Sequence, residues 1–422
     1  MTTTIELHVR QLSDESLIAD AKLTSHVSAA PAVLASNAPV LIDIGGLLSV
    51  ANDPVVYGAH LSSQLFADQT LRDAWLRAYA YAYAAKDTLQ LRLHLDKSAD
   101  HLHALRWETL RNPETDQPIG LHEQIRFVRS LDSADLTPIV ISPNPALRAL
   151  VVIANPSDLA QYRLSKIDVD GEVSRAREAL NAIPTTILAD HAEAVGRATL
   201  ANFTAQLRNG PHLVILVAHG TLLDSQPILW LEQEDGTPDP RSGLEFVAAI
   251  QCLSMRPLLL VLASCHSAGT GYDGTLNALG PGLARIGVPA VLGFQGDVAM
   301  STIKAFLPPL ITELCRDGQI DRALAAARAA LGSARPWWQA VLWLRTDGRL
   351  WDVSNEHSTG VSLPSGVAQM IRATRKSSVR NVTQSGEAGS HQTVSADEES
   401  EIADAHQRGR GPTESSEDRP KR

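Results

Sequence analysis

The chain has 422 residues, of which 44% are hydrophobic and 20% charged, as in ordinary globular proteins. This length suits about two or three domains, or one large domain with tails. The formal net charge of −10 disfavours binding to nucleic acid or to an anionic membrane, and no stretch reaches the roughly 18 consecutive apolar residues of a membrane span.

The first region, residues 1–84, predicts a mixed α/β region. Its opening segment MTTTIELHVRQL lacks the basic and then apolar order of a signal peptide, and it alternates as a strand does. APVLIDIGGLL predicts a second buried strand. LFADQTLRDAWLRAYAYAYAAK has apolar residues at three-and-four spacing and predicts a helix.

From residue 88 onward the pattern becomes regular. LQLRLHL predicts a strand, LHALRWETL a helix, and ILWLEQEDG a hairpin. Continuous apolar runs are typical of strands buried on both faces, and they occur in LRALVVIANP, HLVILVAHG, PLLLVLASC, VPAVLGFQG and WWQAVLWLRTDG. Helical patterns separate them, one of which, LNALGPGLARIG, predicts a broken helix. The predicted fold is therefore α/β, a mainly parallel sheet with helices on both faces.

The amino-acid composition changes after Val353. Residues 353–422 are rich in Ser, Thr, Glu, Gly and Arg and have almost no aromatic residues, which predicts a disordered tail. The expected organisation is a mixed region over 1–84, a catalytic domain over 85–352 with its catalytic half at 148–352, and the tail.

Two predicted strands end in reactive residues. HLVILVAHG brings His219 to a strand end, and PLLLVLASC brings Cys265 to another. Ligands bind beyond the carboxyl ends of parallel strands, so both side chains would emerge at one rim if these strands are neighbours. An imidazole can accept the thiol proton, and the thiolate can attack a carbonyl carbon. His266 is a poor base, because adjacent residues of an extended chain point to opposite faces. Taken alone, Cys265 is more often a small buried apolar residue, and His219 a strand cap.

These segments, in this order, resemble the CHAT domain, a caspase-like (clan CD) family of cysteine peptidases. The resemblance rests on HLVILVAHG, ILWLEQEDG, LLLVLASCHSAGTG, VPAVLGFQ and WWQAVLWLRTDG, preceded by LRLHLDKSADHLHALRWETLRNPETDQPIGL, and covers about residues 55–352. It implies that His219 is the base and Cys265 the nucleophile. It also implies that the backbone N–H groups of Gly220 and Cys265 form the oxyanion hole.

The resemblance leaves substrate preference open. Metacaspases, which are relatives, carry an Asp two residues before the nucleophile to bind a basic substrate side chain, and Ala263 stands there. Gln295 and Asp297 are further candidates for the substrate pocket, with solvated loop residues as the alternative interpretation. We expect a cysteine endopeptidase of protein or peptide substrates that needs no cofactor or metal. CHAT-type peptidases suggest bacterial defence or cell-death signalling, and latency until a partner acts in trans.

Two other functions compete with this one. GTGYDG at 269–274 matches a dinucleotide fingerprint, but SCHSA separates it from the strand end where that motif needs its turn. A catalytically inactive module that binds peptides is the other alternative. His101 and His103 are the closest histidine pair, and we expect them on a solvated helix face rather than at a metal. The cysteines Cys252, Cys265 and Cys315 form no disulfide framework, which suggests a cytoplasmic location.

Overall fold

A computed structural model gives the fold. It describes residues 1–353 except 14, 123, 134, 136, 138, 140, 143–145, 181–182, 224–225, 264–278 and 333–334, and in the tail it describes 369–373, 378–380, 383–387, 392–396, 401–403 and 406–410. The chain divides into two units, Met1–Ser354 and Asn355–Arg422. None of the described helices is long and apolar enough to cross a bilayer.

The N-terminal half of the first unit is a set of strands with three helices. Its strands are β1 (Thr2–Gln11), β2 (Leu17–Ser25), β3 (Ser28–Val40), β4 (Thr88–Leu95) and β5 (Ile125–Ser130), and its helices are α1 (Ile44–Ser49), α2 (Pro54–Leu65) and α3 (Gln69–Ala85). Asp53 and Asp68 start α2 and α3, since their carboxylates accept from the first free backbone N–H groups of those helices. Short 3₁₀ turns at Lys97–Ala104 and Trp107–Thr109 stand where the sequence predicted a regular helix.

The C-terminal half alternates strands and helices. Its strands are β6 (Ala149–Ile153), β7 (Thr185–Leu188), β8 (Leu213–Val217), β9 (His219–Leu223), β10 (Gln226–Glu232), β11 (Pro238–Ser242), β12 (Leu259–Ala263), β13 (Ala290–Phe294) and β14 (Ala340–Leu344). Its helices are α4 (Val169–Ala179), α5 (Leu200–Leu207), α6 (Gly243–Gln251), α7 (Leu279–Arg285), α8 (Met300–Asp317) and α9 (Ile320–Leu331).

Strands of both halves join in one sheet. In the described chain it has eleven strands in the order β3-β2-β1-β4-β5-β14-β13-β12-β8-β6-β7. The pairs β3–β2, β2–β1 and β13–β14 are antiparallel, and the other pairs are parallel. The strands β9, β10 and β11 form a separate three-stranded sheet. The predicted α/β class with a mainly parallel sheet is confirmed.

Helices cover both faces of the C-terminal half. Successive side chains of a strand point to opposite faces, so each buried strand contributes to two clusters. Val151 and Ile153 of β6 pack with α4, α8 and α9, whereas Leu150 and Val152 pack with α5, α6 and α7. The strands of the N-terminal half pack against α2 and α3 in a third cluster of the described residues. The prediction of helices on both faces is therefore confirmed.

One local prediction of a strand is wrong. The segment APVLIDIGGLL is not one strand, because β3 ends at Val40 and Asp43 caps α1 by accepting from the Gly46 N–H at 2.9 Å. The predicted break at Gly280-Pro281 stays a prediction, because α7 is described from Leu279 onward and the residues directly before it lie outside the described part of the chain.

The second unit consists, in its described residues, of short paired strands. These are β15 (Gln369–Ala373), β16 (Ser378–Arg380), β17 (Thr383–Glu387), β18 (Gln392–Ala396), β19 (Glu401–Ala403) and β20 (His406–Arg410). They pair in parallel as β15–β18, β16–β19 and β17–β20. The rest of the predicted disordered tail lies outside the described residues, and its boundary at Val353 stays a prediction.

Candidate active site

The strands that lead to His219 and Cys265 are neighbours. β8 and β12 pair in parallel, with Val217 opposite Ala263 as the last residue of each strand. Every residue of β8 and β12 is buried. The apolar side chains of these strands fill both faces of the sheet, and this packing fixes the register. His219 and Cys265 each follow two residues after this matched pair. Cys265 lies outside the described residues, within 264–278.

His219 stands at the start of a new strand rather than at the end of β8. It is the first residue of β9 and lies opposite Trp230 of β10. The half-buried imidazole has its Nε2 atom 2.6 Å from the backbone carbonyl oxygen of Ser165. A carbonyl can only accept, so Nε2 carries the hydrogen and Nδ1 holds the free lone pair of the neutral ring. This tautomer leaves Nδ1 able to receive a proton.

Gly220 follows His219 in β9, opposite Leu229 of the same hairpin. Glycine in this position leaves space for a substrate backbone beside the strand. Its predicted role as an oxyanion donor, shared with the N–H of Cys265, stays a prediction.

The three predicted pocket residues lie in different surroundings. Ala263 is 1% exposed and packs in a hydrophobic cluster of the described chain. Gln295 is also buried, and its amide donates to the Glu108 carboxylate at 3.1 Å and to the Trp338 carbonyl at 3.0 Å. Asp297 is exposed, and its carbonyl accepts from the Gln339 amide at 2.7 Å. The alternative of a solvated loop residue is wrong for Gln295, while substrate contact by all three stays a prediction.

A buried polar cluster behind this edge was missed by sequence reasoning. Arg129 of β5 donates from Nε to one Glu108 oxygen at 2.9 Å and from Nη2 to the other at 2.5 Å. The side chain of Arg328 from α9 is fully buried nearby and donates to the Ala340 carbonyl at 2.6 Å. Burial lowers the pKa of Arg328 to about 10, although Glu108 partly offsets this effect. The available signal was the pair of arginines, Arg126 and Arg129, that stand among the apolar residues of IRFVRS.

The remaining candidates are His103, the described cysteines and the GTGYDG segment. His103 is 2% exposed, so the predicted solvated helix face is wrong for this residue. No group of three His, Cys, Asp or Glu that could hold a metal occurs among the described residues. Cys252 and Cys315 are free and exposed. The GTGYDG segment at 269–274 lies outside the described part of the chain.

Comparison with known proteins shows the family. A family model of the CHAT domain matches residues 57–351. Two solved structures of the Saccharomyces cerevisiae separase–securin complex are similar at 15% sequence identity, with TM-scores of 0.36 and 0.38. The chain is covered to 60% and 70% by these matches, and it spans 15% and 19% of the matched chains. Among curated proteins, none matches the chain. The chain therefore belongs to the CHAT-domain family.

Proposed function

We propose that the protein is a cysteine endopeptidase in which Cys265 is the nucleophile and His219 is the base. The observation that supports this most is the matched end of β8 and β12, where Val217 lies opposite Ala263. His219 and Cys265 each follow this pair by two residues, so we expect both side chains at the same edge of the sheet. A thiol and an imidazole at one rim are sufficient for nucleophilic attack on a peptide carbonyl.

The reaction would begin at the free lone pair of His219. Nδ1 takes the proton of the Cys265 thiol, and the sulfur forms a bond to the carbonyl carbon of the substrate. The N–H groups of Gly220 and Cys265 would hold the resulting oxyanion. The protonated imidazole then gives its proton to the leaving amine, and water hydrolyses the thioester. The Ser165 carbonyl stabilises the imidazolium by accepting its Nε2–H.

Substitution of the pair tests this function. Cys265→Ala and His219→Ala should each lower cleavage of a peptide library by at least about a thousandfold, and the double variant should lose little more, because the residues act as one unit. Cys252→Ala and Cys315→Ala are matched controls and should keep full activity.

A thiol-reactive peptide ketone gives a second readout. It should label Cys265 in the unsubstituted protein. Substantial cleavage by Cys265→Ala would contradict the mechanism. A protein that stays unlabelled and inactive even in cell lysate would instead favour the inactive CHAT module that binds peptides.

We propose further that the resting protein is latent and is activated by a partner in trans, in a cytoplasmic defence or cell-death response. The segment after β12 contains Gly269, Gly271 and Gly274, and glycine-rich loops order only at an entropic cost. A partner that binds the ordered form more tightly would shift this equilibrium. The purified chain should therefore cleave peptides slowly, and cell lysate should raise the rate many-fold. Full activity of the isolated chain, unchanged by lysate, would exclude this control.

A further inference from the structure

The acceptor for the His219 hydrogen bond lies in an irregular segment. Ser165 belongs to the residues between β6 and α4, where a short 3₁₀ turn at Leu159–Tyr162 is the regular element described. The backbone passes through left-handed conformations at Asp158 and Arg163, with φ of 55° and 59°. A carbonyl in such a segment has no strand or helix to fix its direction. Its position depends on the contacts that hold the segment.

Asn155 joins the two ends of this segment. Its side-chain Oδ1 accepts from the Ile167 N–H at 2.9 Å, and its own backbone N–H donates to Glu232 Oε1 at 2.8 Å. Ile167 is 5% exposed and lies two residues after Ser165, so the hydrogen bond is shielded from water. The Asn155 amide therefore closes the loop that carries the acceptor carbonyl.

Glu232 connects this loop to the strand pair that carries His219. It is the last residue of β10, the strand in which Trp230 lies opposite His219. Its side chain is fully buried, and burial raises the pKa of its carboxyl group. Oε1 accepts from Asn155, while Oε2 accepts from Arg197 Nη1 at 3.3 Å. The Glu232 carboxylate thus connects the hairpin that carries His219 to the loop that carries the Ser165 carbonyl.

We propose that Asn155 is a positioning residue for His219. Its amide oxygen, acting through Ile167, fixes the Ser165 carbonyl that selects the Nε2–H tautomer and orients the ring. This inference rests on the proposed function, since it assigns Asn155 to the same dyad. Without the amide oxygen, the loop end is released and the Ser165 carbonyl moves away from Nε2. The imidazolium then loses its acceptor, and less of the Cys265 thiol is ionised at neutral pH.

Alkylation of the full chain by iodoacetamide tests this assignment without a substrate. The rate at each cysteine is followed by peptide mass spectrometry between pH 4 and 10, with the exposed Cys252 as the internal reference, because burial raises the pKa of the Cys315 thiol. In the unsubstituted protein, Cys265 should be alkylated at a lower midpoint pH than Cys252. Asn155→Ala should raise the Cys265 midpoint by about one pH unit, which is about a tenfold change in the acid dissociation constant of the thiol.

Three variants separate positioning from general destabilisation. Asn155→Leu keeps the side-chain shape without an acceptor and should behave as Asn155→Ala, so it replaces that variant if the alanine protein unfolds. Asn155→Asp keeps an oxygen for Ile167 and should restore the original midpoint. Asn112→Ala is the matched control, because the buried Asn112 Oδ1 also accepts from a backbone N–H, that of Glu114 at 3.0 Å, but in the N-terminal half. It should lower the melting temperature and leave the midpoint unchanged.

The outcomes distinguish this inference from the proposed function. A Cys265 that reacts like Cys252 in the unsubstituted protein, both alone and in cell lysate, contradicts the dyad, and the positioning role with it. An activated Cys265 whose midpoint stays unchanged in Asn155→Ala and Asn155→Leu overturns the positioning role alone. A midpoint raised equally by Asn112→Ala also overturns it, because the shift would then follow from lost stability.

Discussion

Glu108 accepts hydrogen bonds from side chains of both halves of the sheet. Arg129 contributes two from β5, and Gln295 contributes one from the residue that follows β13. The side chains of Glu108 and Arg129 are 0% and 2% exposed. A buried ion pair adds little net stability when it is complete, but removal of one partner leaves an uncompensated charge. The pair is therefore a place where a single substitution has a large effect.

The prediction for Glu108→Gln follows from this burial. The substitution leaves the Arg129 guanidinium buried without a counter-ion and should lower the free energy of unfolding by about 3–5 kcal/mol, measured by urea denaturation. Asp116→Asn is the matched control, since Asp116 pairs with Arg111 at the surface and is 76% exposed. It should change stability by less than about 1 kcal/mol. Equal effects of the two substitutions would show that burial of Glu108 does not matter.

His103 predicts a pH dependence of stability. Burial, reinforced by the charges of Arg129, Arg285 and His94, lowers the pKa of His103 to about 3, whereas the Leu95 carbonyl has the opposite effect. The unfolded chain therefore binds a proton below pH about 6.5 that the folded chain does not bind until about pH 3. Between these two pH values the free energy of unfolding should fall on acidification by up to about 1.4 kcal/mol per pH unit. Above this window the protonation of His103 should not change the free energy of unfolding.

The test compares urea unfolding of the wild type and His103→Asn at pH 7 and pH 5. The asparagine amide can still donate to the Leu95 carbonyl, but it does not titrate. The wild type should lose more stability than the variant between the two pH values. Parallel losses in both proteins would contradict the buried neutral state of His103.

The sequence predicted which residues carry the reactive groups, but it did not predict their hydrogen-bond partners. His219 and Cys265 stand out because each follows an apolar run that predicts a buried strand. The acceptor of His219 is 54 residues away along the chain, and the partner of Gln295 is 187 residues away. Such contacts are set by how the strands are ordered in the sheet, which a local pattern does not contain. For the same reason the burial of His103 was predicted incorrectly.

At the scale of elements, the apolar runs were reliable. Those that predicted β6, β8, β12, β13 and β14 are confirmed, because a strand buried on both faces must be apolar throughout. The run that contains β14 carries no sign that this strand is antiparallel to β13. Strand β5 was missed because Arg126 and Arg129 interrupt its apolar pattern, and their buried partners, Asp321 and Glu108, are remote in sequence.

The end of β12 predicts how a carboxylate would behave at position 263. Ala263 is 1% exposed and lies in the sheet beside Val217. Ala263→Asp should lower the free energy of unfolding by at least about 3 kcal/mol, because it buries a carboxylate without a partner. The burial of Ala263 argues against its predicted contact with substrate, so Ala263→Asp should create no preference for substrates with Arg or Lys at the cleavage site. Ala263→Ser is the smaller control, and a stable, Arg-selective Ala263→Asp protein would contradict the placement.

At the scale of the whole molecule, the buried core of the first unit extends to Trp351. Leu350 and Trp351 are 1% and 2% exposed, and both belong to the cluster that covers one face of the C-terminal half. A chain that ends at Val353 should melt within about 2 °C of the full chain and keep its peptidase turnover, because the tail composition favours disorder. A chain that ends at Asp347 loses both buried side chains and should be destabilised by several kcal/mol. A large fall in melting temperature on removal of 354–422 alone would show that the tail packs on the core.

The place of β14 in the sheet has a consequence for the synthesis of this protein. β14 lies between β5 and β13, so it is the strand that joins the two halves, and it is the last strand of the sheet to leave the ribosome. Translation at about 5–20 residues per second leaves β5 without this neighbour for roughly 10–40 s. Throughout that interval β5 presents unpaired backbone groups to other nascent chains. Chaperone binding and misassembly should therefore concentrate on this edge until β14 is inserted.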